Sequence, residues 1–331
     1  MQKIKKIIEY SRTLKVNRGR VKYDISQSKK ISIFRNNYFY QRKEESISKK
    51  NIIKIIDYKY FEDFDISYDK KIFKYYFLRD IQSKITISKI VKLDNKFYYY
   101  NRCYRNISDI NIEKVKSEIN MLLNHDYAVK KISGNCIISP LIIVPIIERL
   151  SFSLSSIFLI DNVTFTKLNQ KLFDNNISLY DIPRLRGGFS YRHFDDFLYK
   201  TRKTILIKNG YINDYLKNLS IDTCKFGNVY YDKFSNEFRS NFTNLFLKIK
   251  KNRIKIDYDY LLEDCLTPLN IDILTGTIEG EVIAKDLRND IYVIGKIETN
   301  YKNLFDSMGR IGKYCLCNSH KVSYVTTKIG E

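Results

Sequence analysis

The spacing of apolar residues changes character along the chain. IKKIIEYSRTL (4–14) sets Ile4, Ile7, Ile8 and Leu14 at near-helical intervals and predicts a short amphipathic opening helix. VKYDIS (21–26) and KISIF (30–34) are rich in β-branched and aromatic residues and read as strands. NNYFYQRKEES (36–46) continues as a third extended segment. Residues 47–95 have no dominant period, and no element is assigned there. INIEKVKSEINMLLN (110–124) places Ile112, Val115, Ile119 and Leu122 on one helical face, with Asp109 at the N-cap position.

A Gly-Asn turn and a short apolar strand follow in 129–140, then a helix with Pro145 in its first turn. Beyond residue 130 the pattern turns to β. TILIKNGYINDYL (204–216) is two alternating runs around Asn209-Gly210, a strong hairpin signal. EGEVIAKDLRNDIYVIGKIE (279–298) reads as a second hairpin turned at Arg288-Asn289-Asp290. The expected class is α+β: a small N-terminal α+β domain over 1–130, then a β-rich C-terminal domain over 131–331.

Length supports this division, since 331 residues correspond to about two domains and to a core that needs no disulfide staples. No apolar run reaches the ~18 residues of a membrane span; the best, Ile137 to Ile147, holds two prolines. The start, MQKIKKIIEYSR, lacks the apolar stretch of a secretory signal, so the cytoplasm is the expected compartment. The six cysteines are expected to be reduced thiols rather than a disulfide framework. Fifty-eight basic against 37 acidic residues give a net charge of +21. Total charge is weaker evidence than clustering, and the basic residues are spread along the sequence rather than gathered in one block. The excess of Lys, Ile, Asn, Tyr and Phe also follows A/T-rich codons. Nucleic acid is therefore not an expected partner.

The densest passage is LYDIPRLRGGFSYRHFDDFLYKTRKTILIKNGYINDYLKN, which starts at Leu179. It combines a strand ending at Asp181, a turn at Pro183, a Gly187-Gly188 pivot, an acidic pair after Phe194 (Asp195-Asp196), and the Asn209-Gly210 hairpin. A β-domain with one long connecting loop would account for it. The series nevertheless resembles the run "DDP…GG…S…FDDEG…R-T-LIENG-L-GYL" of the TldD/PmbA peptidase family. Asp181, Pro183, Gly187, Gly188, Ser190, Phe194, Asp195, Asp196, Thr204, Leu206, Ile207, Asn209, Gly210, Tyr215 and Leu216 fall in register. More weakly, CIISP (136–140), SNFTNLFLK (240–248) and LNIDILTGT (269–277) are similar to later family segments. The resemblance implies the family's β-rich C-terminal domain, preceded by an N-terminal domain shortened near 47–95.

Within that family, TldD-type chains hold a catalytic metal on an HExxxH helix with a cysteine near the C-terminus, and the glutamate is the general base. PmbA/TldE-type chains lack the motif and pair with a TldD-type chain. Here the equivalent helix reads Ile147-Glu148-Arg149-Leu150-Ser151-Phe152, and neither Ile147 nor Phe152 can ligate a metal. The resemblance therefore implies a TldE-like subunit with no catalytic residue, metal ligand or cofactor of its own. Zinc is expected in a TldD-type metallopeptidase partner, and the substrate would be unfolded or leader-type peptide. The loop bearing Asp181, Pro183, Gly187, Gly188, Phe194, Asp195, Asp196, Asn209 and Gly210 is expected to be a structural or interface element.

Of the three histidines, His125 at the end of the 110–124 helix suits the helix dipole, and His193 sits at a variable motif position. Cys315-x-Cys317-x-x-His320 leaves an alternative open, a remodelled metal site in an active peptidase. A basic nucleic-acid-associated protein is the second alternative.

Overall fold

The computed structural model describes residues 4–16, 23–35, 38–45, 64–74, 79–155, 167–196, 199–216, 229–232, 237–250 and 257–330. Cys224 and the segment 47–63 lie outside them; the other five cysteines are free thiols.

The chain opens with three strands, β1 (Ile4–Val16), β2 (Tyr23–Arg35) and β3 (Tyr38–Glu45). The opening helix expected over 4–14 is thus corrected to a strand. Ile4, Ile8, Tyr10 and Leu14 also fit a period of two, and pairing decides between the readings. β1 is hydrogen-bonded to β2 on one side and to β4 (Asp65–Lys74) on the other, antiparallel to both. The two runs at 21–26 and 30–34 belong to one strand, because no Gly or Pro interrupts SQSK between them. β5 (Arg79–Leu93) and β6 (Lys96–Tyr104) complete an antiparallel sheet in the order β3-β2-β1-β4-β5-β6.

Helix α1 (Ile112–Leu123) forms where the periodicity places it and buries Val115, Ile119 and Leu122. Its N-cap is Asn111 rather than Asp109: the Asn111 side chain accepts from the Lys114 N–H at 3.0 Å. Asp109 instead accepts from the Asn106 N–H at 3.0 Å in the preceding turn.

The chain then enters a second, larger sheet with β7 (Ala128–Lys131) and β8 (Gly134–Ile138). Helix α2 (Pro140–Ser153) follows, apolar over most of its surface; Ile142, Ile143, Val144, Ile146, Ile147 and Leu150 are all buried. It starts one turn earlier than expected, at Pro140, so Pro145 is interior. The remaining strands are β9 (Ile177–Asp181), β10 (Thr204–Lys208), β11 (Tyr211–Ile212), β12 (Val229–Asp232), β13 (Glu237–Ser240), β14 (Leu245–Ile249) and β15 (Tyr260–Cys265). After these come β16 (Asn270–Ile271), β17 (Thr277–Asp286), β18 (Ile291–Asn300), the short helix α3 (Tyr301–Asp306), β19 (Gly309–Cys317) and β20 (His320–Ile329). The sheet runs β11-β10-β9-β14-β20-β8-β15-β17-β18-β7, with β16 on β17 and β19 on β20.

Both expected hairpins form, 204–212 and 277–300. The family-like fold class therefore stands as an α+β unit followed by a β-rich one, and no described helix is long and apolar enough to cross a membrane.

Alternation along β17 and β18 gives the sheet two cores. Val282, Ala284 and Val293 face α2, while Ile283, Tyr292 and Ile294 face α1 and the first sheet. The two units thus share a continuous apolar seam, each fully buried aliphatic side chain contributing about 1.5–3 kcal/mol.

The tightest turn is Asn209-Gly210, with φ of 49° and 80°. A Cβ at Gly210 would lie 2.0 Å from the Phe173 carbonyl oxygen. Gly210→Ala is expected to cost about 2 kcal/mol or more, for the left-handed backbone and the clash together. Equilibrium urea unfolding measures it.

Candidate functional site

α2 presents Glu148 toward β20, where His320 receives it: Glu148 Oε1 lies 2.8 Å from His320 Nε2. The other ring nitrogen, Nδ1, accepts the backbone N–H of Leu245 at 2.8 Å. An acceptor at Nδ1 requires the proton on Nε2, which then donates to the carboxylate. Both nitrogens are committed, so His320 has no lone pair for a metal or for a substrate proton. Ile147 is fully buried in the apolar core, and Phe152 is covered by the Arg149 guanidinium 5.6 Å from its ring centroid. These residues do not fit a metal centre.

The Cys315-x-Cys317-x-x-His320 pattern proves to be hairpin geometry. Cys317 pairs with His320 across the β19–β20 turn, whose two residues, Asn318 and Ser319, have φ of 45° and 81°. Burial pushes the Cys317 thiol up to about 12 and also raises Cys315. Among the described residues no three of His, Cys, Asp and Glu converge to hold a metal ion.

The motif residues separate into three clusters. At the end of β9, Asp181 is fully buried, and its Oδ1 accepts from Thr243 N (2.7 Å), Thr243 Oγ1 (2.6 Å) and Asn244 N (3.1 Å). Burial raises the Asp181 pKa, and the Thr243 donors pull against it. Asn244, which sequence reasoning missed, is the hub beside it. Its amide nitrogen donates to the carbonyls of Ile182 and Pro183, and its Oδ1 accepts from Ser190 N and Ser319 Oγ. A Cβ on Gly188 would sit 2.3 Å from Asn244 Oδ1, so only glycine lets the loop close over this amide. Gly187 packs in the same way against Leu316.

The second cluster holds the acidic pair. Phe194 bridges to Lys200. Asp195 accepts from Tyr199 N (2.8 Å) and Val229 N (3.4 Å), while Asp196 lies 3.5 Å from the Arg192 guanidinium. Next to them His193 grips Asp80 of β5 twice, through Nδ1 (2.6 Å) and its backbone N–H (2.7 Å), tying this loop to the first sheet. Asn209-Gly210 forms the third cluster, the hairpin turn. His125 stacks on Tyr292 at 4.5 Å.

A cleft of about 530 Å³ lies between the two units, at the start of α2. On its walls Arg102 bonds Asp264 at 2.8 Å and sits 3.4 Å from Glu118. Tyr98 donates to Asp264 (2.5 Å) and Tyr100 to Glu118 (2.9 Å). Glu263, its pKa raised by burial, accepts from the Tyr292 hydroxyl. Cys103, Cys315 and Cys317 line the same space. The cleft leans acidic in a strongly basic chain. Its polar residues come from β6, α1, β15 and β19, a convergence that only the tertiary structure creates.

Burial holds the Asp195 pKa at about 6, above its usual value near 3.8. A raised carboxyl favours the folded state below the unfolded pKa, and that contribution is lost as pH rises toward 6. Stability of Asp195→Asn relative to the parent should therefore climb between pH 4 and 6 and level off above, by up to about 3 kcal/mol. Urea unfolding across that range measures the difference.

Residues 133–281 match the PmbA/TldA metallopeptidase C-terminal domain. No curated protein matches the chain in sequence. Three solved structures share the fold. A candidate modulator of a DNA gyrase from Thermotoga maritima has a TM-score of 0.73 and 12% identity over 99% of this chain and 95% of its own. TldE from Thermococcus kodakarensis has a TM-score of 0.71 and 12% identity over 99% and 95%. A candidate DNA gyrase modulator from Bacteroides thetaiotaomicron has a TM-score of 0.66 and 11% identity over 99% and 93%. The motif series, the matched domain and the shared fold agree: residues 133–281 form a domain of the PmbA/TldA C-terminal type, and the whole chain is similar in fold to TldD/PmbA-family proteins.

Proposed function

We propose that this chain is the non-catalytic, TldE-like subunit of a heteromeric TldD/PmbA-type metallopeptidase. In this reading it works in the cytoplasm on unfolded or leader-type peptides, beside a TldD-type chain that carries HExxxH and the zinc. The observation that carries the reading is the Glu148–His320 pair. The glutamate at the general-base position is spent on a structural hydrogen bond, and apolar Ile147 and Phe152 stand where the ligands would be. Likeness of fold to TldE from Thermococcus kodakarensis supports the subunit assignment. The inter-domain cleft would hold substrate: an extended peptide gains backbone hydrogen bonds independent of its sequence, which suits a broad-specificity protease.

The purified chain alone should leave an unfolded peptide such as reduced, alkylated casein intact. Mixing it with the HExxxH-bearing chain of the same genome should give chelator-sensitive hydrolysis. Hydrolysis by the chain alone would overturn the assignment. In the mixed enzyme, Glu148→Gln, which keeps an acceptor for His320, should retain activity within about twofold, whereas loss of a true general base costs about 10²-fold or more. Peptidase rates at saturating peptide separate the two.

A further inference from the structure

One face of the second sheet gathers positive charge in a way that the linear sequence hides. Across β9, β10, β14, β19 and β20, which neighbour one another, the sole acidic residue is Asp181, fully buried on the core side. The same strands carry Lys208, Lys248, Arg310, Lys313 and Lys321, while Lys328 alternates to the other side of β20 from Lys321. Register then aligns a row across them: Ile205 stands opposite Tyr180, Tyr180 opposite Phe246, and Phe246 opposite Lys321. Leu179, Leu245 and Leu247 point into the core, so the alternating Tyr180, Phe246 and Lys248 belong to the outer face.

The rings on this face are in contact. Tyr180 and Phe246 stack at 5.9 Å, and Phe246 meets Tyr314 edge-on at 5.1 Å. Cations lie over them: Lys203 is 3.9 Å from the Tyr180 centroid, Lys321 5.1 Å from that of Phe246, and Arg310 5.0 Å from that of Tyr314. Among the described residues no ion pair engages Lys203, Lys248, Lys313 or Lys321. The face is an array of cations on an aromatic floor, and among the described residues no carboxylate pairs with Lys203, Lys248 or Lys321.

Charge complementarity calls for a polyanion, and the residue types choose among polyanions. Protein interfaces are depleted in lysine, whereas phosphate backbones take lysine readily as a point charge. Half-buried rings flanked by cations are the means by which sheet surfaces hold single strands, with bases stacked on the rings and phosphates on the cations. Phosphates would draw the ammonium groups off the ring faces. A stacked base is worth more than the exposed cation–π contact it replaces. We propose that this face binds single-stranded nucleic acid without sequence preference, through Lys203, Lys248 and Lys321 on phosphates and Tyr180, Phe246 and Tyr314 beneath bases. The surface is separate from the cleft, and its role is independent of the peptidase assignment.

Fluorescence anisotropy of the full chain with labelled oligo(dT), titrated with salt, tests it. Oligo(dT) should bind more tightly than a duplex of the same length, and log Kd should vary linearly with log salt. The double variant Lys248→Gln, Lys321→Gln should weaken binding about tenfold at low salt and reduce the slope by about 1.4, the sum of two phosphate contacts. Phe246→Leu should weaken binding a few-fold and leave the slope unchanged. Lys116→Gln with Lys302→Gln, which removes equal charge elsewhere, should leave binding within about twofold, and thermal melts confirm that each variant is folded. Absence of binding, equal loss in the control pair, or equal affinity for duplex or poly-glutamate would overturn the proposal.

Discussion

Residues 282–284 of β17 turn alternately to two cores, Val282 and Ala284 toward α2 and Ile283 toward α1 and the first sheet. Tyr292, Val293 and Ile294 of β18 repeat the alternation. A strand with apolar residues on both faces must be covered on both, and this requirement organises the molecule. It draws α2 into the interior on one side and docks the N-terminal unit on the other. It also leaves the polar residues at the rim of the seam to form the inter-domain cleft. The His193–Asp80 clasp adds a polar tie at another point between the same units.

Burial of α2 then constrains chemistry. A helix apolar over most of its surface offers few polar exits, and Glu148 takes one by reaching His320. Because Leu245 N–H occupies the far nitrogen, the imidazole becomes a fixed link between α2, β20 and β14. The imidazole end of this link is buried, so removing Glu148 would leave the His320 Nε2 donor without its partner. The same economy governs the motif loop: Asp181 satisfies the amides of Thr243 and Asn244, while Asn244 satisfies the Ile182 and Pro183 carbonyls and the Ser190 amide and accepts the Ser319 hydroxyl from the β19–β20 turn. These polar residues of the motif therefore serve chain geometry.

Much of this architecture could be read from residue order. Asn209-Gly210, the strand ending at Asp181, α1 and the 277–300 hairpin rest on local chemistry, where turn residues and periodicity act over a few positions. The opening strand resembles a helix in sequence because Ile4, Ile8 and Leu14 satisfy two periods, and only the pairing of β1 with β2 and β4 selects one. Cys317-Asn318-Ser319-His320 resembled a ligand cluster, yet Asn and Ser there serve a turn with positive φ. Asn244 lies within SNFTNLFLK, yet its role as a hub comes from Gly188 and Ser319, which are remote in sequence. Basic residues scattered along the sequence meet on one sheet face because strand register, rather than sequence proximity, sets neighbours.

Glu148 and His320 are spent on holding the fold rather than on a metal ion. Long-range ¹H–¹⁵N NMR of the histidine rings during a zinc titration tests this most directly. The account predicts a protonated Nε2 and an unprotonated, hydrogen-bonded Nδ1 at His320, unchanged through equimolar zinc. Zinc-dependent shifts at either His320 nitrogen, abolished by Cys317→Ser, would contradict it.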